Sequence, residues 1–192
     1  MVNDIIFCKS FDFNVFRFSD YKHTDNSAGI HVHYFAYMTR GHAKICTKRK
    51  TVPIRQGDVF YIPNGCQYRS YWYGDPEIEF ISLGFRFMPN FQNRYYAPQV
   101  IETGEDDIQT MREIVACGIL DSITVGKFYG LVGSLVQKMR NEHQTKQTAL
   151  IEKVKDLLGL HPEYTVGDIA KACTVSESAL YANVMLKKGV VK

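Results

Sequence analysis

The chain has 192 residues, of which 45% are hydrophobic and 22% charged. This composition is typical of a folded globular protein and excludes a disordered chain, and the length allows one large domain and one small one. No run approaches the roughly 20 apolar residues that a membrane-spanning helix needs. The segment that starts at Met1 lacks the basic and apolar parts of a signal peptide, so we expect a cytoplasmic protein with no membrane partner.

Aromatic side chains are unevenly distributed along the chain. Of the 12 Phe, 12 Tyr and one Trp, 21 fall in residues 1–100. Aromatic residues favour pleated, half-buried surfaces, so the first half is predicted to be rich in strands and the second half rich in helices. Residues 146–192 carry seven Lys and five acidic residues, a net charge of only +2, which permits a nucleic-acid partner without requiring one.

The five cysteines, Cys8, Cys46, Cys66, Cys117 and Cys173, are far apart and form no C-x-x-C pair. A disulfide framework or a zinc site normally shows paired cysteines at short spacings. We therefore expect single buried thiols in a reducing compartment.

Strand signals recur through the first 87 residues. The arm from Ile5 to Phe18 carries partly alternating phenylalanines, which predicts an N-terminal arm or strand. Glycine, proline and short polar residues separate the later segments, as turns require. These segments are His31–Thr39, Ala43–Thr47, Thr51–Arg55, Val59–Ile62, Gln67–Tyr73 and Glu77–Phe87. Many short strands at this spacing predict an antiparallel sandwich or barrel.

After a loop from Pro89 to Pro98, the apolar period changes from two to about 3.6. One helical face runs from Ile108 to Ile119 and a longer one from Phe128 to Met139, with a break at Gly118–Gly126. Such a hairpin must bury its apolar stripe, either on the sheet or against another copy of itself. The polar stretch Asn141–Thr148 is predicted to be a linker.

The last segment has the pattern of a helix-turn-helix. Thr165 and Asp168 form a capping box for a helix over Val166–Cys173, Val175 makes a tight turn, and Ser176 caps the next helix. In that helix Leu180 and Val184 are expected to face inward. The side chains on the opposite face are candidates for contact with DNA, although they are also compatible with ordinary solvated positions. They are Ser178, Tyr181 and Ala182.

His31 and His33 show the spacing of a metal-binding pair, because alternate residues on a strand point the same way. Two ligands do not make a site, and the nearby Tyr37, Met38 and Tyr68 are poor substitutes for a carboxylate or an imidazole. We favour a structural or ligand-binding role for the pair and expect no metal and no cofactor.

Two motifs resemble those of cupins. Gly29-Ile30-His31-Val32-His33 is followed by Gly41, and Gly57–Tyr68 has the glycine and proline spacing of the second motif. The carboxylate of the first motif is absent, and Tyr68 occupies the place of the final histidine. The resemblance implies a jelly-roll barrel, while the two departures argue against a metal-dependent cupin enzyme, which stays as an alternative.

The last segment resembles the first helix-turn-helix of AraC-type transcription regulators. The match rests on Asp168-Ile169-Ala170, on Val175–Ser178 and on Leu180-Tyr181 with Gly189. It implies an α+β, mainly β fold with a cupin-like ligand-sensing barrel in residues 1–100. A dimerising helical hairpin would then occupy residues 101–145, and a partial DNA-binding domain residues 146–192.

The resemblance also implies a small-molecule effector inside the barrel, with aromatic side chains for contact area and polar groups for orientation. Thr39-Arg40-Gly41 matches a run in the arabinose-sensing member, where the arginine lines the sugar pocket. An arginine suits a sugar hydroxyl or an acid, and Trp72 could stack on a sugar. The candidates are His31, His33, Arg40, Tyr61, Tyr68 and Trp72.

The same resemblance implies a homodimer whose contacts come from the second helix of the hairpin. Leu131, Leu135 and Met139 are the expected contacts, with core packing as the alternative. Members of the family continue after the glycine with a second helix-turn-helix, whereas this sequence ends at Lys192. We therefore expect a non-enzymatic regulator with weak or incomplete DNA binding, and a truncated dimerising antagonist as an alternative.

Overall fold

The structure is a computed structural model and describes residues 9–86, 96–140 and 146–182. The chain forms two compact units, residues 1–141 and residues 142–192. The described strands are β1 (Lys9–Phe18), β2 (Tyr21–Asn26), β3 (His33–Arg40), β4 (His42–Thr47), β5 (Thr51–Ile54), β6 (Val59–Ile62), β7 (Tyr68–Tyr73), β8 (Ile78–Arg86) and β9 (Gln99–Ile101). The described helices are α1 (Glu105–Ala116), α2 (Ser122–Lys138), α3 (Lys146–Leu160), α4 (Val166–Cys173) and α5 (Glu177–Leu180). The predicted α+β, mainly β fold is confirmed, and none of these helices is long and apolar enough to cross a membrane.

The strands of the first unit form two antiparallel sheets. The five-stranded sheet has the order β1-β8-β3-β6-β9, and the four-stranded sheet has the order β2-β7-β4-β5. Inward-facing side chains of both sheets meet in one apolar layer, which we call the sandwich interior. Its buried members are Ala36, Met38, Ala43, Ile45, Val52, Ile54, Phe60, Ile62, Tyr68, Trp72, Ile78 and Phe80.

The other face of the five-stranded sheet is covered by α1 and α2. Phe128 of α2 is fully buried at the centre of this second layer. Its ring lies 5.4 Å from that of Phe11, 5.0 Å from Phe13 and 5.1 Å from Phe85, measured between centroids. Aromatic contacts at these distances add to the apolar area that is buried. The apolar stripe of the hairpin is therefore buried within a single chain.

A buried carboxylate joins the two helices of the hairpin. Asp107 of α1 accepts a hydrogen bond from Ser134 Oγ at 2.7 Å and forms an ion pair with Lys138, both on α2. Burial raises the pKa of the Asp107 carboxyl. The hydrogen bonds from Lys138 and Ser134 together lower it by a larger amount, so its pKa lies below its usual value.

Several predicted boundaries need correction. Two short strands, β2 and β9, were not predicted, because β2 is mostly exposed and polar and β9 has only three residues. Helix α1 ends at Ala116, so Ile119 lies in the turn, which contains Gly118 at φ 63°. Gly126 is inside α2 and not in the break, because the Asp121 side chain accepts a hydrogen bond from Thr124 N–H at 2.8 Å and starts the helix at Ser122.

The second unit contains the predicted helix-turn-helix. Helix α4 spans Val166–Cys173 as predicted, and the Thr165–Asp168 capping box has both of its hydrogen bonds. Ser176 caps α5, and Leu180 is fully buried. The turn residue in the left-handed region is Thr174, at φ 58°, and not Val175. Val184 and Gly189 lie outside the described residues, as do residues 141–145 of the predicted linker.

The described cysteines are not joined in disulfide bonds, and only one of them is buried. Cys173 is buried, Cys46 and Cys66 are half-buried, and Cys117 is exposed at the end of α1. Cys8 lies outside the described residues. The expectation of buried thiols is therefore correct for Cys173 and wrong for Cys117.

Candidate functional site

The centre of the sandwich interior is a cluster of aromatic rings. The rings of Trp72 and Phe80 stack with centroids 4.5 Å apart and planes 13° apart. Phe16 lies 5.2 Å from Phe80, and Phe60 lies 6.2 Å from Trp72. The indole N–H of Trp72 donates to Ser70 Oγ at 2.8 Å, so the buried donor is satisfied inside the cluster. This part of the interior is therefore an apolar surface formed by aromatic rings.

Two tyrosines provide polar groups farther along the same interior. Tyr34 precedes Met38 by four residues on β3, and Tyr68 precedes Trp72 by four residues on β7, which places both about 13 Å from the aromatic centre. Burial raises the pKa of both hydroxyls. A hydrogen bond from Asn26 lowers the pKa of Tyr68, but by a smaller amount than burial raises it. Both hydroxyls therefore stay protonated and can donate a hydrogen bond.

The sandwich interior contains few other polar groups. Ser70 and Ser82 are its buried hydroxyl side chains among the described residues. Asp107 is the one buried charged residue in the part of the chain that the structure describes, and it lies in the helical hairpin. Hydroxyl groups on an apolar wall suit a molecule with an apolar body and one polar group, and they provide no buried counter-charge.

His33 and Tyr61 lie together, but on the opposite face of the five-stranded sheet. The Tyr61 hydroxyl is 2.8 Å from His33 Nδ1, and Asn64 N–H donates to the same nitrogen at 3.2 Å. The imidazole stacks on Phe85, with centroids 5.4 Å apart. Removal from water lowers the pKa of His33 to about 3. This ring is a neutral hydrogen-bond acceptor on the side of the sheet that packs against α1 and α2.

The other two candidates, His31 and Arg40, are exposed. Arg40 forms an ion pair with Glu77, and the neighbouring Thr39 hydroxyl donates to Glu79 Oε1 at 2.8 Å. No cluster of three or more His, Cys, Asp or Glu side chains suitable for a metal ion occurs in the described part of the chain.

The six predicted ligand-binding residues thus occupy three places. Tyr68 and Trp72 both lie in the sandwich interior but are separated along β7, His33 and Tyr61 meet on the helix side, and the other two residues are exposed. The alternation of side chains along a strand explains this separation. His33 and Tyr61 occupy the alternate positions whose side chains face the helices. Sequence reasoning missed five interior aromatics, and the alternation within the N-terminal arm could have indicated two of them. These five are Phe16, Phe18, Tyr34, Phe60 and Phe80.

The three predicted DNA-contacting residues lie together on the surface of the second unit. Ser178, Tyr181 and Ala182 are exposed, and Tyr181 has 42% of its surface accessible. Leu180, between them, points into the core formed with Val154 and Ile169. The second helix of the helix-turn-helix therefore presents one face to the core and these side chains to solvent.

The three predicted dimer contacts are in the core of the first unit. Leu131, Leu135 and Met139 are buried within the single chain, in the layer between the hairpin and the five-stranded sheet. The hairpin exposes a different set of large apolar residues, Ile119 and Leu120 in its turn and Ile123 at the start of α2.

Solved structures with this arrangement are available for comparison. ToxT from Vibrio cholerae is 17% identical, with 96% of this chain and 78% of that chain covered and a TM-score of 0.58. ToxT from Vibrio cholerae strain SCE256, solved with an unsaturated fatty acid bound, is 18% identical, with 100% and 77% covered and a TM-score of 0.60. The AraC-like transcriptional activator CuxR is 15% identical, with 94% and 72% covered and a TM-score of 0.55.

The chain has the fold of ToxT and CuxR. The resemblance to AraC-type regulators that was inferred from the sequence is therefore confirmed at the level of the fold. The sequence matches no protein-family model and no curated protein. The similarity to ToxT and CuxR is therefore a similarity of tertiary structure at low sequence identity.

The environment of His33 predicts acid sensitivity. Because its pKa is about 3 in the folded state and 6.5 in the unfolded state, the unfolded state binds more protons below pH 6.5. The contribution of this ring to stability is complete above pH 6.5 and is lost as the pH falls, by about 1 to 2 kcal/mol at pH 5. Urea unfolding at pH 7 and pH 5 measures this loss.

The variant His33→Asn keeps an acceptor near the Nδ1 position and removes the titration, so we expect its stability to fall less between pH 7 and pH 5 than that of the native chain. The same substitution at the exposed His31 is the matched control. Equal pH dependence in the native chain and His33→Asn would contradict the assignment.

Proposed function

We propose that this protein is a cytoplasmic, ligand-responsive DNA-binding transcription regulator of the AraC type, and not an enzyme. The observation that carries the proposal is the combination of an aromatic-lined sandwich with a helix-turn-helix whose second helix is exposed. The shared fold with CuxR, an AraC-like transcriptional activator, supports it. On this view the first unit senses an effector and the second contacts DNA.

The effector that fits the sandwich interior best is a molecule with an extended apolar body. Phe16, Phe80 and Trp72 offer apolar contact area, and Tyr34 and Tyr68 offer hydroxyl donors for a polar head group. A sugar would need several polar partners around its ring. The arginine expected to bind one is exposed and paired with Glu77. ToxT has been solved with an unsaturated fatty acid bound, which supports an apolar effector for the similar fold.

The single tryptophan of the chain provides a direct test of this interior. Trp72 is buried beside Phe80 and the chain contains no other tryptophan, so its emission reports on the aromatic cluster alone. We expect oleate, added below its micelle concentration, to change the emission in a saturable manner. L-arabinose and D-glucose are expected to leave it unchanged.

The variant Ser82→Leu places additional volume in the interior and should weaken oleate binding at least about tenfold, because overpacking removes space. The variant Ser178→Leu, on the exposed helix of the second unit, is the matched control, and near-ultraviolet circular dichroism checks folding. Isothermal calorimetry measures the affinities independently. Absence of any heat and any emission change with oleate would overturn the apolar-effector proposal.

DNA contact is assigned to the exposed face of the second helix. Ser178 and Tyr181 can donate hydrogen bonds to bases or to phosphates, and the small Ala182 allows close approach. The helix start is fixed by Ser176, whose Oγ accepts from Ala179 N–H at 3.2 Å. This cap orients the side chains that would reach the major groove.

Selection from a pool of randomised duplexes tests sequence-specific DNA binding. We expect the native chain to enrich a shared sequence, and Tyr181→Ala to bind that sequence about tenfold more weakly, in the range of one lost base or phosphate contact. Gln137→Ala, at an exposed position of the first unit, is the control. If Tyr181→Ala enriches the same sequence and binds it with equal affinity, Tyr181 does not contact DNA.

We further propose that the regulator forms a homodimer through the exposed face of α2. Ile123, Gly126 and Gly130 follow each other at spacings of three and four and are all exposed. A Cβ added at either glycine would meet no atom within 4 Å, so nothing in the single chain requires glycine there. Glycine in a helix interior costs about 1 kcal/mol relative to alanine, and close approach of another backbone would explain its use.

Two substitutions separate helix stability from dimerisation. Gly130→Ala should stabilise the isolated chain by about 0.5 to 1 kcal/mol and weaken the dimer, because a methyl group would keep the two backbones apart. Ile123→Asp should abolish the dimer, whereas Val15→Asp, at an exposed apolar position of β1, should not. Sedimentation equilibrium and urea unfolding measure the two effects. An unchanged mass for Ile123→Asp with the fold preserved would exclude this face.

A further inference from the structure

The outer face of the four-stranded sheet is a positively charged surface that the proposed function does not use. Inward and outward residues alternate on its strands, and Ala43, Ile45, Tyr68 and Trp72 point into the sandwich interior. The residues between them point outward. We call this outward surface the basic sheet face.

Cross-strand register arranges the basic sheet face in rows. One row has Tyr21 of β2, Tyr73 of β7 and His42 of β4, and the next has His23, Tyr71 and Lys44 on the same strands. The His42 and Tyr73 rings stack with centroids 5.2 Å apart, and the His23 and Tyr71 rings are 4.8 Å apart. Lys44 Nζ lies 4.9 Å from the Tyr71 ring centroid.

The stacking determines which part of each ring is available to a partner. Because neighbouring rings lie nearly parallel, at 18° and 25°, their faces are turned toward each other across the strands. The Tyr21 ring is instead tilted by 49° against Tyr73 and is half exposed. The rows bring tyrosine hydroxyls and imidazole nitrogens, which can donate hydrogen bonds, together on one surface.

Charge on this face is one-sided. Asp25, paired with Arg69 at 3.1 Å, is the one acidic residue among the described residues of the face and its β4–β5 turn. Five basic residues against one acidic residue give the face a charge of +4, whereas the whole chain carries +3. The basic residues are Lys44, Lys48, Arg49, Lys50 and Arg69. The face and its turn are thus more basic than the first unit as a whole, while residues 146–192 carry seven Lys against five acidic residues.

We propose that the basic sheet face binds the phosphate backbone of double-stranded DNA without reading its sequence. Lysine, arginine and tyrosine side chains are donors that proteins use for phosphate oxygens. Residues two apart on a strand lie about 6.6 Å from each other, so successive rows can contact separate phosphates. The choice of DNA over another polyanion rests on the proposed function, whereas the site itself rests on the arrangement of charge and donors.

The test uses the full chain and a fluorescently labelled duplex of arbitrary sequence, with binding followed by anisotropy over a range of potassium chloride concentrations. We expect the triple variant Lys44→Gln, Lys48→Gln, Arg49→Gln to bind about tenfold or more weakly at 0.1 M salt. The slope of log affinity against log salt should fall by about 2 to 3, because each lost phosphate contact removes about 0.9.

The matched control removes the same charge from other exposed positions of the first unit, through Arg17→Gln, Arg86→Gln and Arg140→Gln. Its affinity and salt slope should stay close to those of the native chain. Equal losses in the two triple variants, or no loss in either, would overturn the proposal. Thermal unfolding verifies that both variants are folded.

Competition distinguishes DNA from an acidic protein partner. Unlabelled duplex should displace the labelled duplex at concentrations near its own affinity, and poly-L-glutamate of equal charge should do so far less well. Equal displacement by poly-L-glutamate would overturn the assignment to DNA in favour of acidic protein surfaces. Because the duplex has arbitrary sequence, a Tyr181→Ala variant that has lost sequence selectivity should keep this binding, so failure of the reading helix is distinguishable from failure of this site.

Discussion

The burial of the five-stranded sheet on both faces is the constraint on which the first unit depends. Strands β3 and β8 supply one set of side chains to the sandwich interior and the alternate set to the layer beneath α1 and α2. Phe35 and Leu83 are fully buried on the helix side, while Met38 and Ile78 are fully buried on the other. A shift of one residue in register would exchange the two sets, so both layers fix the same register.

This double burial separates the tasks of the two layers. The helix-side layer has Phe128 at its centre and contains His33 as a neutral, hydrogen-bonded ring. The sandwich interior holds the tyrosines Tyr34 and Tyr68 among apolar side chains, and it is the layer in which we propose that an effector binds. The sheet between them is the physical connection through which an effector in one layer could shift the packing of the hairpin in the other. Such a shift can be no larger than the difference in effector affinity between the two arrangements.

The fold was predictable from the sequence to a large extent, because its local signals are strong. The Thr165–Asp168 capping box indicated the start of α4, and the short apolar run Val59–Ile62 between turn residues is the strand that was predicted. Edge strand β2 was not predicted, because its exposed polar residues show no apolar period. The start of α2 was placed too late because Gly126 was interpreted as a helix break, whereas the cap at Asp121 begins the helix five residues earlier.

The candidate site was less predictable. The sequence by itself determined the element types, the helix-turn-helix with its exposed Ser178 and Tyr181, and an aromatic-rich strand domain, because periodicity and capping act between residues that are neighbours in the chain. Only the tertiary structure decided that Trp72 stacks on Phe80 inside the sandwich, while His33 and Tyr61 pair on the opposite face. It also decided that the hairpin stripe is buried within one chain. Those outcomes depend on which face of a strand or helix meets a partner distant in sequence, and alternation defines two faces without stating which of them is inside.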